Sequence, residues 1–195
     1  MNRASARVLA IAVAIGSGGA ACAQSVPQSA TIAVTASVDR KCTLANPQID
    51  LGQTTNIGQV SGSTVRIADL SDDQMSTKVT DFTAEVAGMC NASHQLTVSS
   101  DRGGLWRDPA GLRSNGFANG VPYRATISWG GEQAILRANA SGEGQVQQTL
   151  SVDQPAGGSV QIQFHIDQSA TNVGVGAPLI AGTYDDTIRV TMGPL

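Results

Sequence analysis

Ser159–Ile166 reads S-V-Q-I-Q-F-H-I. Val160, Ile162, Phe164 and Ile166 fall on one side of an extended chain, and Gln161, Gln163 and His165 on the other. Strict period-two alternation of this kind predicts a strand with one face in a core and one toward solvent. The same period recurs outward from it. Phe82, Ala84 and Val86 alternate ahead of Cys90, and Leu96 with Val98 continues in a following strand. Tyr123, Ala125, Ile127 and Trp129 alternate up to a Gly130-Gly131 turn, across which Ala134–Arg137 can pair back. Val146, Leu150 and Val152 repeat the pattern with Gln148 as a polar exception, and Ile188, Val190 and Met192 close the series. Ile49–Gly52 reads as a short strand and Val65–Leu70 as a short edge strand. Gly52–Ser63, rich in Gly, Thr, Asn and Gln, reads as a loop, and Asp101–Gly120 as a long surface loop. Beyond the first residues no stretch carries a helical period. About seven to nine short strands separated by Gly/Pro turns predict an all-β, immunoglobulin-like antiparallel sandwich.

The earliest alternating stretch is Ala30–Val38, A-T-I-A-V-T-A-S-V. Ile32, Val34, Ala36 and Val38 share one face, and Thr31, Ala33, Thr35 and Ser37 the other. By pattern alone this is the first strand of the chain's own sandwich. The same pattern also suits a strand that completes a neighbouring copy.

Residues 1–23 are expected to lie outside the fold. Arg3 and Arg7 precede an apolar run from Val8 to Ile15, small residues follow, and Ala21-Cys22-Ala23 suits signal-peptidase cleavage before Gln24. The run is too short to span a membrane. A lipidated Cys22 lacks the large aliphatic residue usual before such a site. Without residues 1–23 and their two arginines, the formal charge of −3 becomes −5. A mildly acidic chain with scattered basic residues carries no basic patch for nucleic acid. Only 14% of residues are charged, in keeping with an exported, turn-rich β protein.

Cys42 and Cys90 then remain, and an even count in an exported protein predicts one disulfide. The loop of about 49 residues that it closes is worth roughly 4 kcal/mol in chain-entropy terms. A metal site is not indicated: there is no C-x-x-C, and the two histidines, His94 and His165, are far apart.

Catalytic motifs are missing as well. The chain contains no G-x-S-x-G, no H-E-x-x-H and no phosphate loop. His94 reads as a turn residue after Cys90, and His165 as a solvent-facing strand residue. The pairs Asp72-Asp73 and Asp185-Asp186 are adjacent, so their side chains diverge on an extended backbone and make no dyad. They read as loop and strand-edge charges, and Ser71–Gln74 is too sparse in ligands for a calcium loop. Asn91-Ala92-Ser93 and Asn139-Ala140-Ser141 match the short glycosylation acceptor pattern. The expectation is a non-enzyme without a cofactor.

Four features in order give the mature chain a family likeness. They are the alternating segment running into Cys42, the F-x-x-x-x-x-x-x-C-N stretch Phe82–Asn91 followed by Leu96-Thr97-Val98, the segment G-L-R-S-N-G leading to V-P-Y at Val121–Tyr123, and the ending A-G-T-Y-D-D-T-I-R-V-T-M, Ala181–Met192. In these the chain resembles the spore coat protein U family, whose members are similar to subunits of archaic chaperone–usher pili. It departs in ending Met192-Gly193-Pro194-Leu195, where the family commonly has an aromatic residue. The resemblance implies an incomplete, pilin-type sandwich over 41–195 that lacks one strand, preceded by a donor segment over 24–40. A periplasmic chaperone lends the missing strand, and at an outer-membrane usher the next subunit's N-terminal strand replaces it. Ile32, Val34, Ala36 and Val38 are then the donor residues, and Ile188, Val190 and Met192 line the groove and meet the chaperone. The disulfide staples the acceptor near the root of the arm. The expected object is an extracellular fibre or coat made of copies or sister subunits, without membrane insertion. A surface-binding or carbohydrate-binding module is the alternative, with Trp106 and Phe117 of the long loop as its only candidates.

Overall fold

The computed structural model describes residues 31–109 and 115–195. The expected signal peptide, Cys22, the lead over 24–29 and part of the G-L-R-S-N-G segment lie outside the described residues. The chain divides after Ser37 into two units. In the first, residues 31–37 form neither strand nor helix and are exposed. The half-buried strand expected there is therefore not formed. Alternation reports the surroundings a segment suits rather than an intrinsic backbone preference, and an extended segment is not stable without a ladder partner.

The second unit, Val38–Leu195, is an all-β antiparallel sandwich with no helix among the described residues. Its strands are β1 (Cys42–Leu44), β2 (Gln48–Thr55), β3 (Ile57–Ser61), β4 (Thr64–Ile67), β5 (Thr80–Cys90), β6 (His94–Ser100), β7 (Leu105–Asp108), β8 (Gly120–Val121), β9 (Tyr123–Trp129), β10 (Glu132–Ala138), β11 (Val146–Val152), β12 (Ala156–Ile166), β13 (Thr183–Asp185) and β14 (Ile188–Pro194). One layer runs β1-β5-β12-β9-β10, with β2 also pairing β5. The other runs β11-β6-β14. Two smaller sheets, β13-β7-β8 and the hairpin β3-β4, complete the unit.

The alternating residues set the registers. Val160 faces Val86, Ile162 faces Ala84 and Phe164 faces Phe82 across β12 and β5, while Ile162 also pairs Ile127 of β9. Val160, Val86, Ile162, Ala84 and Ile127 pack against Leu96 and Val98 of β6 and Leu150 and Val152 of β11, while Phe164 belongs to a second cluster with Val121, Tyr123, Ala138 and Ile166, against which Phe82 packs. The Gly130-Gly131 turn joins β9 to β10 with φ of 61° and 86°, the left-handed pair that a two-residue hairpin of matching twist requires. Cys42 pairs Cys90 in register, and the two form the disulfide.

Three expectations change. Most of Gly52–Ser63 is strand rather than loop, because β2 continues past an irregularity to Thr55 and β3, Ile57–Ser61, folds back on β4. The long loop holds β7, which is sandwiched between β8 and β13. His94 is a fully buried strand residue. Its Nδ1 donates to the carbonyl of Ala92 at 2.8 Å, while Nε2 accepts from Trp129 Nε1 at 2.7 Å, joining the two layers. Replacing Trp129 with phenylalanine keeps most of the apolar volume but orphans Nε2. Chemical denaturation is expected to show a loss of about 1–3 kcal/mol.

Ion pairs ornament the outer faces. Arg189 of β14 grips Asp101 in a fork, at 2.9 Å and 2.7 Å, and this hydrogen bonding holds the Asp101 carboxyl below its usual range. Burial works to raise Asp167, but hydrogen bonds from His165 and Arg124 outweigh it and lower the carboxyl. His165 also meets Asp81 across β5 and β12, so it is half-buried within a charged cluster rather than simply facing solvent. Both folded-state values are depressed, so the stability they add is present above the ordinary carboxylate range and lost as pH falls through the folded values. The stability gap between the wild type and Asp101→Asn, read by urea midpoint, is expected to be open at neutral pH and to close as pH falls through the carboxyl's lowered folded-state value.

Candidate functional site: an apolar groove beside the last strand

In β14, Ile188, Val190 and Met192 alternate with exposed Arg189 and Thr191 and are themselves only half-buried. One edge of β14 pairs with β6, with Val190 opposite Val98 and Met192 opposite Leu96. Among the described residues no strand pairs with its other edge. On that side the two layers do not close, and a groove of about 610 Å³ runs between them.

Its walls come from several elements. Ile188 and Val190 form one side. Ala84 and Val86 of β5 and Ile162 of β12 lie beneath. Leu44 and Ile49, from β1 and β2, form the opposite side, and Val65 and Ile67 of the hairpin overhang it. Toward one end the floor is aromatic: Phe82 stacks on Phe164 with centroids 4.7 Å apart, and Tyr123 tilts against the same ring at 4.7 Å. The lining belongs to the same residue set as the core, yet Phe82, Ala84, Ile188 and Val190 stay half-exposed because nothing covers them.

The groove has a closed end and an open end. Near the disulfide, a methyl group placed on Gly88 would lie 3.2 Å from Leu44 Cδ2 and 3.3 Å from Met192 Cε. Met192 thus packs over Gly88 with the core and is not a lining residue, unlike Ile188 and Val190. At the other end Asp185, Asp186 and Thr187 line the mouth.

Asp186 organises that mouth. Its carboxylate accepts hydrogen bonds from Tyr123 Oη at 2.7 Å, the backbone N–H of Arg102 at 3.0 Å, that of Thr187 at 2.7 Å, that of Gly104 at 3.3 Å, and Ser100 Oγ. Burial, with the neighbouring Asp186 charge adding to it, pushes the Tyr123 hydroxyl far above its usual range, so it acts as a donor. Asp185 turns the other way and pairs Arg102 at 2.9 Å. The divergence expected of the adjacent pair holds, but Asp186 is a half-buried hub rather than an edge charge. Its partners lie 63 to 86 residues away for the two side-chain donors, and no local motif announces them.

The root of the N-terminal segment is also built. Asn91 Oδ1 accepts from the Lys41 backbone N–H at 2.7 Å, Asn91 Nδ2 donates to the Asp39 carbonyl at 2.9 Å, and the Asn91 N–H donates to the Lys41 carbonyl at 3.1 Å. Arg40 reaches the Leu195 carbonyl. The Asn91 amide is thereby engaged in protein contacts. Ile32, Val34 and Val38 are 86%, 88% and 86% exposed.

An apolar cleft flanked by strand edges can bind an extended apolar segment. Among the described residues no group of three or more His, Cys, Asp or Glu is placed to hold a metal. Asp72 Oδ1 accepts from the N–H groups of Gln74 and Ser76, fixing its own loop. Trp106, a candidate for surface binding, is buried, and its Nε1 donates to the Arg102 carbonyl at 2.8 Å. Scans of the chain against protein-family models and curated proteins return no match.

Proposed function

We propose that the chain is a structural subunit of a secreted surface fibre or coat, and that copies polymerise when residues 31–38 of one fill the groove of the next. The observation that carries this is the groove itself: a long apolar slot with an edge of β14 that pairs with no strand among the described residues on one side, and core residues exposed along its length. Such a slot is complementary to an extended strand with apolar residues at every second position, since backbone hydrogen bonds supply affinity and alternate side chains fill pockets. The chain carries such a segment in Ile32, Val34, Ala36 and Val38, all exposed.

Strand directions give the assembly a polarity. β14 runs from the open mouth toward the disulfide end, where the root of the segment also lies. A neighbour stacked with its root on the mouth feeds Val38 in last and Ile32 deepest, antiparallel to β14. The contact is head-to-tail and does not close on itself, so it generates a fibre. A chaperone that lends a strand and an outer-membrane usher that exchanges it complete the reading, and these partners rest on the family resemblance. Electron microscopy of the secreted full-length protein is the test. Thin unbranched fibres with an axial repeat near one sandwich length are expected, whereas monodisperse single particles at high concentration overturn the reading.

A further inference from the structure

The end of the sandwich where β5 begins and β12 ends carries apolar side chains in water. Val173 and Val175 sit on the loop after β12, with Val175 93% exposed, and Met75 and Phe117 are exposed beside it. These residues are brought together by backbone bonds. Leu179 N–H donates to the Met75 carbonyl at 2.8 Å and Ala118 N–H to the Pro178 carbonyl at 2.8 Å, so residues 178–179 run between Met75 and Phe117. The loop is tightly knit: Thr171 Oγ1 donates to the Gly174 carbonyl at 2.6 Å, Gly176 N–H to the Ser169 carbonyl at 2.9 Å, and Asn172 Oδ1 accepts from the Gly120 N–H at 3.1 Å. A built loop that holds valines outward is the mark of a contact surface. Asp73 stands exposed at its margin, in the turn before Met75.

We infer that this surface is a second contact between copies, taking the root end of the subunit whose arm fills the groove. The inference rests on the strand-donation reading. Its occupant follows from topology, chain length and charge. The surface lies at the Thr80/Ile166 end of the first layer, the end that the groove mouth shares, about 35 Å by strand rise from the Cys42–Cys90 end. A donated arm enters there. Only Asp39, Arg40 and Lys41 separate its last apolar residue, Val38, from Cys42, and three residues span at most about 10 Å. Asn91 holds two of them in place. A seated arm therefore draws the donor's root end onto this pole. That end brings Arg40 and Lys41, both exposed, and exposed Leu195, which match Asp73 and the valines in charge and polarity. Once the arm is seated the contact is intramolecular, at an effective concentration in the millimolar range, so a patch of this size suffices.

The experiment is zero-length carbodiimide cross-linking of assembled fibres made from a mixture of unlabelled and isotope-labelled full-length chains. A mixed-label Lys41–Asp73 linkage is expected. Val175→Asp, remote from groove and arm, is expected to leave fibres in place and to lower that linkage roughly tenfold, the effect of putting a charge where an apolar contact forms. Fibres without any mixed-label link between the two ends overturn the pole contact and leave strand donation standing. A wild-type chain that makes no fibres overturns both. Val175→Asp fibres with an unchanged linkage but lost chaperone binding also overturn it, and assign the surface to the chaperone.

Discussion

Val34→Asp with Val38→Asp is expected to leave the sandwich folded and to abolish the proposed fibre formation. The first half follows from exposure: both side chains stand in water in the single chain, so a carboxylate there meets no core. The second half follows from the groove. In a neighbour's slot each aspartate would lie among residues such as Ile162, Phe82 and Val190, with no cation in the lining to pair it. The effective penalty for an unpaired buried ion is several kcal/mol, so two of them weaken strand donation by at least about a thousandfold. Thr35→Asp with Ser37→Asp provides the contrast. Those positions take the opposite face of the arm, outward from the groove, and fibres are expected to persist. Sedimentation of assembled material, with circular dichroism as the fold control, reads both variants. Equal loss in the two would show that charge alone, and not the alternation, controls assembly, and fibres from the Val34/Val38 variant would remove the donor role from this segment.

The same alternation explains what could be read in advance. Ser159–Ile166, Tyr123–Trp129 and Ile188–Met192 each needed only the period of two to place a face inward, and the structure pairs β12 with β9 and leaves Ile188 and Val190 on the groove. A period names a face but not the residue across from it. His94 followed a cysteine and a short polar run, and nothing local shows that Trp129, 35 residues on, donates to its ring. Val65–Leu70 reads as an edge strand, but its place over the groove was hidden, because its partner β3 lies in a stretch whose composition resembles a loop. For the arm, the alternation described what the segment suits while the single chain leaves it unpaired. That mismatch between a strong strand pattern and full exposure is what the strand-donation proposal expects of the segment.

Asp186→Ala is expected to be the most damaging single change to the sandwich itself. The substitution removes one acceptor group and strands its donors together: Tyr123 Oη, Ser100 Oγ and the N–H groups of Arg102 and Gly104, in a region where Ser100 and Tyr123 are buried. Each unsatisfied buried donor costs about 1–3 kcal/mol, and water entering at the groove mouth recovers part, so the net loss is roughly 4 kcal/mol. For a domain of this size that lowers the melting temperature by about 10 °C. Asp186→Asn keeps the shape and one acceptor oxygen but turns a donor toward donors, and an intermediate loss of about 2 kcal/mol follows. Because the hub ties the start of β14 to β6 and β9, its loss also frees the wall that carries Ile188. Amide exchange is therefore expected to accelerate first at Thr187–Val190, ahead of the β5–β12 pairing. A melting temperature within a degree of the wild type, or uniform acceleration across both layers, would show that the mouth is held by packing alone.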